Sequence, residues 1–565
     1  MQFCRPMPLH SIFVAALLFA FAGTSGATGG PGKAERVVVV VWDGMRPDSV
    51  NDRNTPTLAA LARSGVVFKN NHAAYPSSTN VNGAVLATGA EPGRNGVIAN
   101  QEFRIEIDPH KPFDTADFPA LDATDSQLSL KYLSVPTVAE LVQKAGFRTA
   151  IAGSKPVVQL FDRTRQRETV AAKKSAVVYR GRVMPAEAEA AIVAAIGPFP
   201  IRKNFPNESE DAWTTRALTE VLWKDDLPKF SLLWLSEPDL SEHETAPGSP
   251  TSLAAIKSSD ENLAKVLAAL KAKNALTNTD IFVVSDHGFS TVDLAVDVAA
   301  RLRAAGFDAV RAFTLEPKTR QILVVTLGGS VGFYVAGHDV ATIDKLVDFL
   351  QRSDFAGVIL TRATHEGTFT FAQTQLNAPS APDVIVACRW NDQPNEFGVR
   401  GQVASDIGRS VGHGSHSTLS PHDMNNTLIA AGPDFRRGWT DETPSGNIDL
   451  APTILSLLGL KASATMNGRV LVEAFVGRKP NPMIKTQELV AQRDLGGSTW
   501  RQTLRLTTVE KTTYLEEGNG GIVDPSLRKG REGAGEPKIS SATKLRPSEA
   551  FGDRAPRTAV RFDQR

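Results

Sequence analysis

The run RVVVVVW, Arg36–Trp42, places the tightest limit on what this chain can fold into. Five consecutive valines are stiff at χ1 and favour an extended backbone. They do not alternate with polar residues, so both faces of the strand need apolar cover. That is the signature of a strand deep inside a parallel sheet. Four more short apolar runs read the same way: FRTAIA (Phe147–Ala152), FSLLWL (Phe230–Leu235), DIFVVS (Asp280–Ser285) and NTLIAA (Asn426–Ala431). Amphipathic helical patterns separate them, among them TPTLAALARSG, VPTVAELVQKAG, DENLAKVLAALKAKN and DLAPTILSLLGL. Strands alternating with such helices predict an α/β fold, a doubly wound, mostly parallel sheet with helices on both faces.

One span interrupts the series. Residues 292–411 carry hairpin-like strands (RQILVVTLGGSVGFYVAG), a helix (VATIDKLVDFLQRS) and another strand (AGVILTRA), and read as an inserted α+β cap. The catalytic core is then residues 36–291 plus 412–475. A C-terminal extension, 476–518, holds a β-hairpin at STWRQTLRLTTVEKTTYLEEG. Residues 519–565 are polar and Gly-rich and read as a disordered or loosely attached tail. At the other end, residues 1–27 have the layout of a signal peptide: an Arg, the apolar run SIFVAALLFAFAG, then small residues up to Ala27. The run is shorter than the about 20 apolar residues of a membrane span. The expectation is an exported protein, periplasmic or secreted and bacterial in type, with no stable membrane anchor after cleavage. Cys4 would leave with the signal, and Cys388 alone cannot form an internal disulfide. With Lys+Arg 62 against Asp+Glu 61, the net charge of +1 does not imply binding to a nucleic-acid duplex.

The chemistry lies where the strands end. VVVVVWDG ends in Asp43, FSLLWLSEPDLSEH leads to Asp239 and His243, and DIFVVSDHG ends in Asp286 and His287. Ligands of a doubly wound sheet bind outside the carboxyl ends of its strands, so these turns converge on one edge. Each is weak alone, because Asp-Gly is common turn chemistry. A late His in GHGSHSTLSP completes three Asp and three His. Mixed carboxylates and imidazoles suit zinc, with manganese or iron as alternatives. Six ligands fit two ions, and two ions can stabilise both the attacking and the leaving oxygen of an in-line displacement at phosphorus. A nucleophile has a candidate in YPSSTNVNGAVLATG, Tyr75–Gly89, where Ser77, Ser78 and Thr79 precede a helical segment. The same residue types are the preferred helix caps.

The ordered set VVVVWDGMRPD, TPTLAALARSGVVF, YPSSTNVNGAVLATGAEPGRNGVIAN, EPDLSEH, VVSDHGF and GSHSTLSPHDMNNTLIAAGPDF resembles the alkaline phosphatase superfamily, in particular its type I phosphodiesterase/nucleotide pyrophosphatase branch. The match runs from Arg36 to Phe475. The resemblance implies an alkaline phosphatase-like fold and a phosphoric ester hydrolase with a Thr nucleophile and two zinc ions. It implies that Asp239, His243 and His416 hold one ion, and that Asp43, Asp286 and His287 hold the other, with Thr79 bridging toward it. His416, in GSHST, fits the pattern better than His413. Thr79 becomes the nucleophile and Asn100 a donor to a phosphoryl oxygen. Lys155 stands near a substrate-contacting Lys of the Thr-type monoesterases, though Val157 replaces the Arg that usually follows; a solvated loop Lys is the alternative. Asn80 and Gly83 replace the aromatic residue and the His common in nucleotide pyrophosphatases. The expected substrate is a small phosphate ester, most readily a diester or pyrophosphate. A phosphomonoesterase or phosphonate hydrolase on the same site, and a non-catalytic zinc- or phosphate-binding relative, are the alternatives. A sulfatase does not fit, because TNVNG lacks the Cys or Ser with following Pro and Arg.

Overall fold

The computed structural model describes residues 32–117, 132–163, 167–180, 182–479 and 481–523. The signal peptide read over residues 1–27 and the tail beyond residue 523 lie outside these. Its centre is a nine-stranded sheet. From one edge the order is Trp439–Asp441, Val66–Phe68, Leu428–Ala431, Thr279–Val284, Arg36–Trp42, Phe230–Leu235, Thr149–Gly153, Ala176–Tyr179 and Arg182–Met184. The five strands from Thr279–Val284 to Ala176–Tyr179 are parallel.

The valine run behaves as its pattern requires. Val37, Val39 and Val41 face one apolar core, where Leu86 of the helix Thr79–Thr88, Val138 and Ile454 pack. Val38, Val40 and Trp42 face a second, with Leu58, Ile256, Leu263 and Val266 from two other helices. All five valines are at most 1% exposed. Each such side chain contributes roughly 1.5–3 kcal/mol relative to exposure, so this strand is the least replaceable element of the sheet.

Two expectations need correction. The run NTLIAA does not form a parallel strand: Leu428–Ala431 pairs antiparallel with Thr279–Val284. The chain reaches it from the loop carrying His416, at the carboxyl edge of the sheet, and so must run back. The late hairpin is part of a three-stranded antiparallel sheet, Ile484–Asp494, Thr499–Val509 and Thr512–Val523. Its last strand continues past Asn519, where the tail was expected to begin. One of the glycines that look like a linker serves close packing, because a Cβ at Gly520 would collide with the carbonyl of Gly357. Asn519 also donates to the Trp390 carbonyl at 2.8 Å.

Between the two halves of the core, Ser290 to Asp406, joined by Gly414–Ser415, build two further sheets. The four-stranded one contains Ser290–Val296 and Arg400–Asp406, and the six-stranded one centres on Ser330–Val335 and Val384–Cys388. This insertion grips the site from above. Tyr75 and Ser330 share a hydrogen bond of 2.9 Å, Ser330 Oγ donates to the Ser417 carbonyl at 2.5 Å, and the Gly329 amide donates to the His416 carbonyl at 2.8 Å. Among the described residues, no helix is long and apolar enough to cross a membrane.

Candidate active site

Thr79 is the first residue of a helix whose ten residues are all buried. Capping by the neighbouring hydroxyls does not occur. Ser78 sits at the N-cap with extended backbone but makes no side-chain cap bond, and its Oγ has no hydrogen-bond partner among the described residues. Ser77 Oγ donates to the Thr418 carbonyl at 2.8 Å. Thr79 Oγ1 instead lies 3.3 Å from His287 Nε2 and 3.5 Å from Asp43 Oδ1. The loop before this helix is fixed by Asn82, whose side chain both accepts from the Ala74 amide (2.7 Å) and donates to its carbonyl (3.0 Å).

The three strand ends meet as expected. After Asp43 the chain turns through Gly44 at φ +75, a region L side chains avoid. The Gly44 amide donates to Asp286 Oδ1 at 3.0 Å, and the Asp239 amide donates to the Asp43 carbonyl at 3.0 Å. These backbone bonds lock adjacent strand ends into one rim. His243 follows Asp239 by one turn of the helix Asp239–Glu244, with its Nε2 3.3 Å from Asp239 Oδ1. Two groups can each hold a cation: Asp239, His287 and His416, and Asp43, Asp286 and His287. His287 belongs to both. Its Nε2 is 3.3 Å from Asp286 Oδ2, 3.7 Å from Asp43 Oδ1 and 3.9 Å from Asp239 Oδ1.

The donor chemistry fits metal ions. Asp239 Oδ1 and Asp286 Oδ2 are buried carboxylate oxygens without a hydrogen-bond partner, and such atoms are costly unless something positive satisfies them. His287 and His416 commit Nδ1 to backbone carbonyls, those of Gly288 and Ser77, both at 2.8 Å. Their Nδ1 then carries the proton, and the Nε2 lone pairs face the carboxylates. His243 Nδ1 lies 3.0 Å from the Gly414 carbonyl and accepts from Arg409 Nε at 2.9 Å. Burial, joined by the neighbouring His287, holds His416 well below its ordinary pKa, and burial also lowers His243. Both favour the neutral, ligand-competent ring.

Lys155 is not a solvated loop residue. Its ammonium is 2.5 Å from Asp239 Oδ2 and 2.9 Å from Asp43 Oδ1. Burial opposes its charge, but Asp239, Asp43 and Asp286 outweigh that and raise its pKa. Burial likewise resists ionisation of Asp239, yet Lys155 and His243 hold its carboxyl well below the usual range. Burial and the charge of Asp286 push Asp43 the other way, well above it. Three carboxylates face one ammonium, an imbalance that a bound cation would relieve.

Asn100 Oδ1 accepts from the Asn80 amide at 2.8 Å, so its NH2 group is the donor left on the cavity wall. The Asn80 side chain is committed to Asp114 Oδ1 (2.8 Å) and Thr115 Oγ1 (3.1 Å). His413 approaches only the backbone carbonyl of His243, at 3.3 Å, and belongs to neither metal group. Thr79, Asn80, Asn100 and Lys155 line one cavity of about 720 Å³.

Several functional neighbours carry no sequence signal. Trp234 donates to Asp43 Oδ2 at 2.8 Å, although a Trp within FSLLWL reads as plain core. Asp211 Oδ1 accepts from Ser154 Oγ (2.5 Å) and from the Ser236 amide (2.8 Å), tying the Lys155 loop to the strand end before Asp239. Only strand adjacency reveals that link.

This arrangement of sheet and insertion is found in solved structures. Murine ectonucleotide pyrophosphatase/phosphodiesterase 5, in an inactive form in complex with AMP, is 17% identical and aligns with a TM-score of 0.55 over 78% of this chain and 99% of that chain. The human protein of the same name is 16% identical, with a TM-score of 0.54 over 78% and 100%. At these identities the likeness establishes the fold, an α/β architecture with helices around a mostly parallel sheet. The family follows from sequence. A model of the family described as type I phosphodiesterase / nucleotide pyrophosphatase matches residues 37–393. The chain belongs to that family, and with it to the alkaline phosphatase superfamily. Among curated relatives, human ectonucleotide pyrophosphatase/phosphodiesterase family member 7 is 25% identical over 296 residues, 51% of this chain and 55% of that protein. Venom phosphodiesterase 2 of Crotalus adamanteus is 24% identical over 278 residues, 48% and 29% of the respective chains. The aligned part covers about half the length of the first of these relatives, or less.

Proposed function

We propose that this protein is a metal-dependent phosphoric ester hydrolase, of phosphodiesterase or pyrophosphatase type, with Thr79 as its nucleophile. One observation carries the reading. The Thr79 hydroxyl lies at the start of a buried helix and faces His287 and Asp43 at 3.3 and 3.5 Å, on the wall of the cavity that Asn100 and Lys155 also line. Family membership and relatives named as phosphodiesterases support it.

Asp239, His243 and His416 would hold one zinc ion, and Asp43, Asp286 and His287 the other, with His287 also within reach of the first ion beside Asp239 and His416. Bound there, the ions would lower the pKa of the Thr79 hydroxyl and offset charge on the attacking and leaving oxygens. The remaining work falls to the chain's own groups. The positive end of the helix that begins at Thr79 and the Asn100 NH2 receive the non-bridging phosphoryl oxygens, where a helix N-terminus favours negative charge. Thr79 Oγ1 gives up its proton and forms the new bond to phosphorus as one alcohol departs with a proton; water then cleaves the Thr79–phosphorus bond, restoring the hydroxyl and releasing the phosphate with its second substituent. Export to the periplasm or exterior is part of the same proposal, resting on the apolar N-terminal run.

A phosphomonoesterase is the second reading, favoured by Lys155. A monoester dianion bears more charge than a diester, and a buried ammonium beside Asp43 and Asp239 is placed to offset it. Relative kcat/KM for p-nitrophenyl phosphate, its bis ester and a phosphonate, measured on zinc-loaded protein, separates these. Diester preference supports the first reading and monoester preference the second. Turnover of none of them would sink both and leave a binding protein. Lys155→Met should lower kcat/KM roughly 10–100-fold, of the order of one or two charge-assisted bonds. A deficit larger for the monoester than for the diester identifies the ammonium as a substrate contact. An equal deficit for both would assign it to holding the two aspartates.

A further inference from the structure

The short helix Pro421–Met424 follows the His416 loop and packs against the turn that carries His287. Its carbonyls take the two amides after His287: Gly288 donates to Asp423 at 2.8 Å and Phe289 to His422 at 2.9 Å. A Cβ at Gly288 would lie 2.0 Å from the His422 carbonyl oxygen. Glycine follows His287 because the two backbones meet there.

The Asp423 side chain extends the link to the second ligand loop. It is completely buried. Oδ1 accepts from the hydroxyl of Ser290, three residues after His287, at 2.5 Å. Oδ2 accepts from the amide and the hydroxyl of Thr418, two residues after His416, at 3.1 and 2.6 Å. One carboxylate thus spans both loops, with one oxygen on each. Capping does not require it, because Ser420 caps this helix. Asp423 belongs to neither metal group, and no step of the hydrolysis uses it.

The His416 loop needs such a hold. Ser417 has φ +78, a left-handed conformation that a residue other than glycine keeps only where its surroundings impose it. The His416 ring stacks on His287 at 3.7 Å between centres, with 17° between the planes, and both rings share a group with Asp239. Two imidazoles from separate loops can serve one ion only while their relative height and tilt are kept.

We propose that Asp423 is a positioning residue of the metal centre: its carboxylate sets the spacing between the loops of His287 and His416, so that both rings reach the ion beside Asp239. This rests on the metal-dependent reading above.

Zinc affinity, measured without substrate by competition with a chromophoric chelator on protein shown to be folded by circular dichroism, tests this. Asp423→Ala should weaken binding about 10–100-fold, the usual effect of removing a group that orients metal ligands. Asp423→Asn keeps an acceptor for Thr418 and can turn its NH2 to the Ser290 hydroxyl, so it should stay within about threefold of native. Ser290→Ala deletes one of the three bonds and should weaken binding roughly 2–10-fold. Asp260→Ala is the control. Asp260 is a buried carboxylate on the helix Pro250–Ala272 that accepts from the Thr57 and Leu58 amides at 3.0 and 2.8 Å and bonds to neither ligand loop. Its loss should lower the melting temperature and leave zinc affinity at the native level. Native affinity in Asp423→Ala, or an equal loss in Asp260→Ala, would overturn the inference and leave the hydrolase standing. Should Asp423→Ala not fold, native affinity in Ser290→Ala overturns it in the same way. A native protein that takes up no zinc would instead overturn the metal-dependent reading beneath it.

Discussion

Thr79→Ala is expected to reduce turnover of the preferred ester by roughly 10⁴-fold or more, about 5 kcal/mol of transition-state stabilisation, while bound zinc stays at the native level. The two halves of this expectation have separate physical sources. The hydroxyl is the one group at the helix start that faces both His287 and Asp43, so no neighbour can replace it: Ser77 is turned to the Thr418 carbonyl. Ion content should survive because three carboxylates and three imidazoles remain, and the substitution removes neither of the carboxylate oxygens that lack partners. The fold should survive too. Alanine is the best helix former, and Thr79 makes no cap bond that would be lost. Thr79→Ser keeps the oxygen and should retain activity within one or two orders of magnitude of native. Turnover rates and metal analysis on the same preparation check both. Near-native rates in a zinc-replete alanine variant would remove Thr79 from the chemistry and return it to a structural role.

The outline of this site was legible because its ligands sit at the ends of strands that announce themselves. A valine run buried on both faces must be central, and Asp43 follows it directly. The same holds for Asp286 and His287 after Thr279–Val284. Strand direction was less accessible. Leu428–Ala431 has the composition of its parallel neighbours, and only the route of the chain through the His416 loop makes it antiparallel. Thr79 is an intermediate case. Its residue type serves caps and nucleophiles alike, so the distinction came from family pattern and now rests on where Oγ1 lies. Lys155 was reached only through the family resemblance, and Trp234 and Asp211 belong to the illegible part. Each acts across adjacent strands on a residue at least 57 positions away in the chain, as the bonds of Lys155 to Asp239, Trp234 to Asp43 and Asp211 to Ser154 illustrate. Residues with no fixed sequence spacing leave no motif.

His287→Ala should be the most damaging ligand substitution, because His287 is the residue common to both metal groups. Its Nε2 approaches Asp286, Asp43 and Asp239 within 3.3–3.9 Å and stands 3.3 Å from Thr79 Oγ1. Its ring stacks on His416 at 3.7 Å between centres, so its loss also frees the neighbouring ligand to tilt. Turnover should fall roughly 10³-fold or more, and zinc content should drop by more than one equivalent per chain. His243→Ala is the matched comparison. His243 Nε2 approaches Asp239 Oδ1 at 3.3 Å and belongs to neither of the two groups that share His287, so it should cost at most about one equivalent. An ion present at a thousand times its dissociation constant contributes about 4 kcal/mol of stability. The His287 variant should therefore also melt several degrees below the His243 variant in zinc-containing buffer, and the two should converge in chelator. Should His287→Ala keep the zinc of the native protein, the ions are held elsewhere. Equal losses in the two variants would mean that His287 serves a single ion, and the two groups would then be separate sites without a shared ligand.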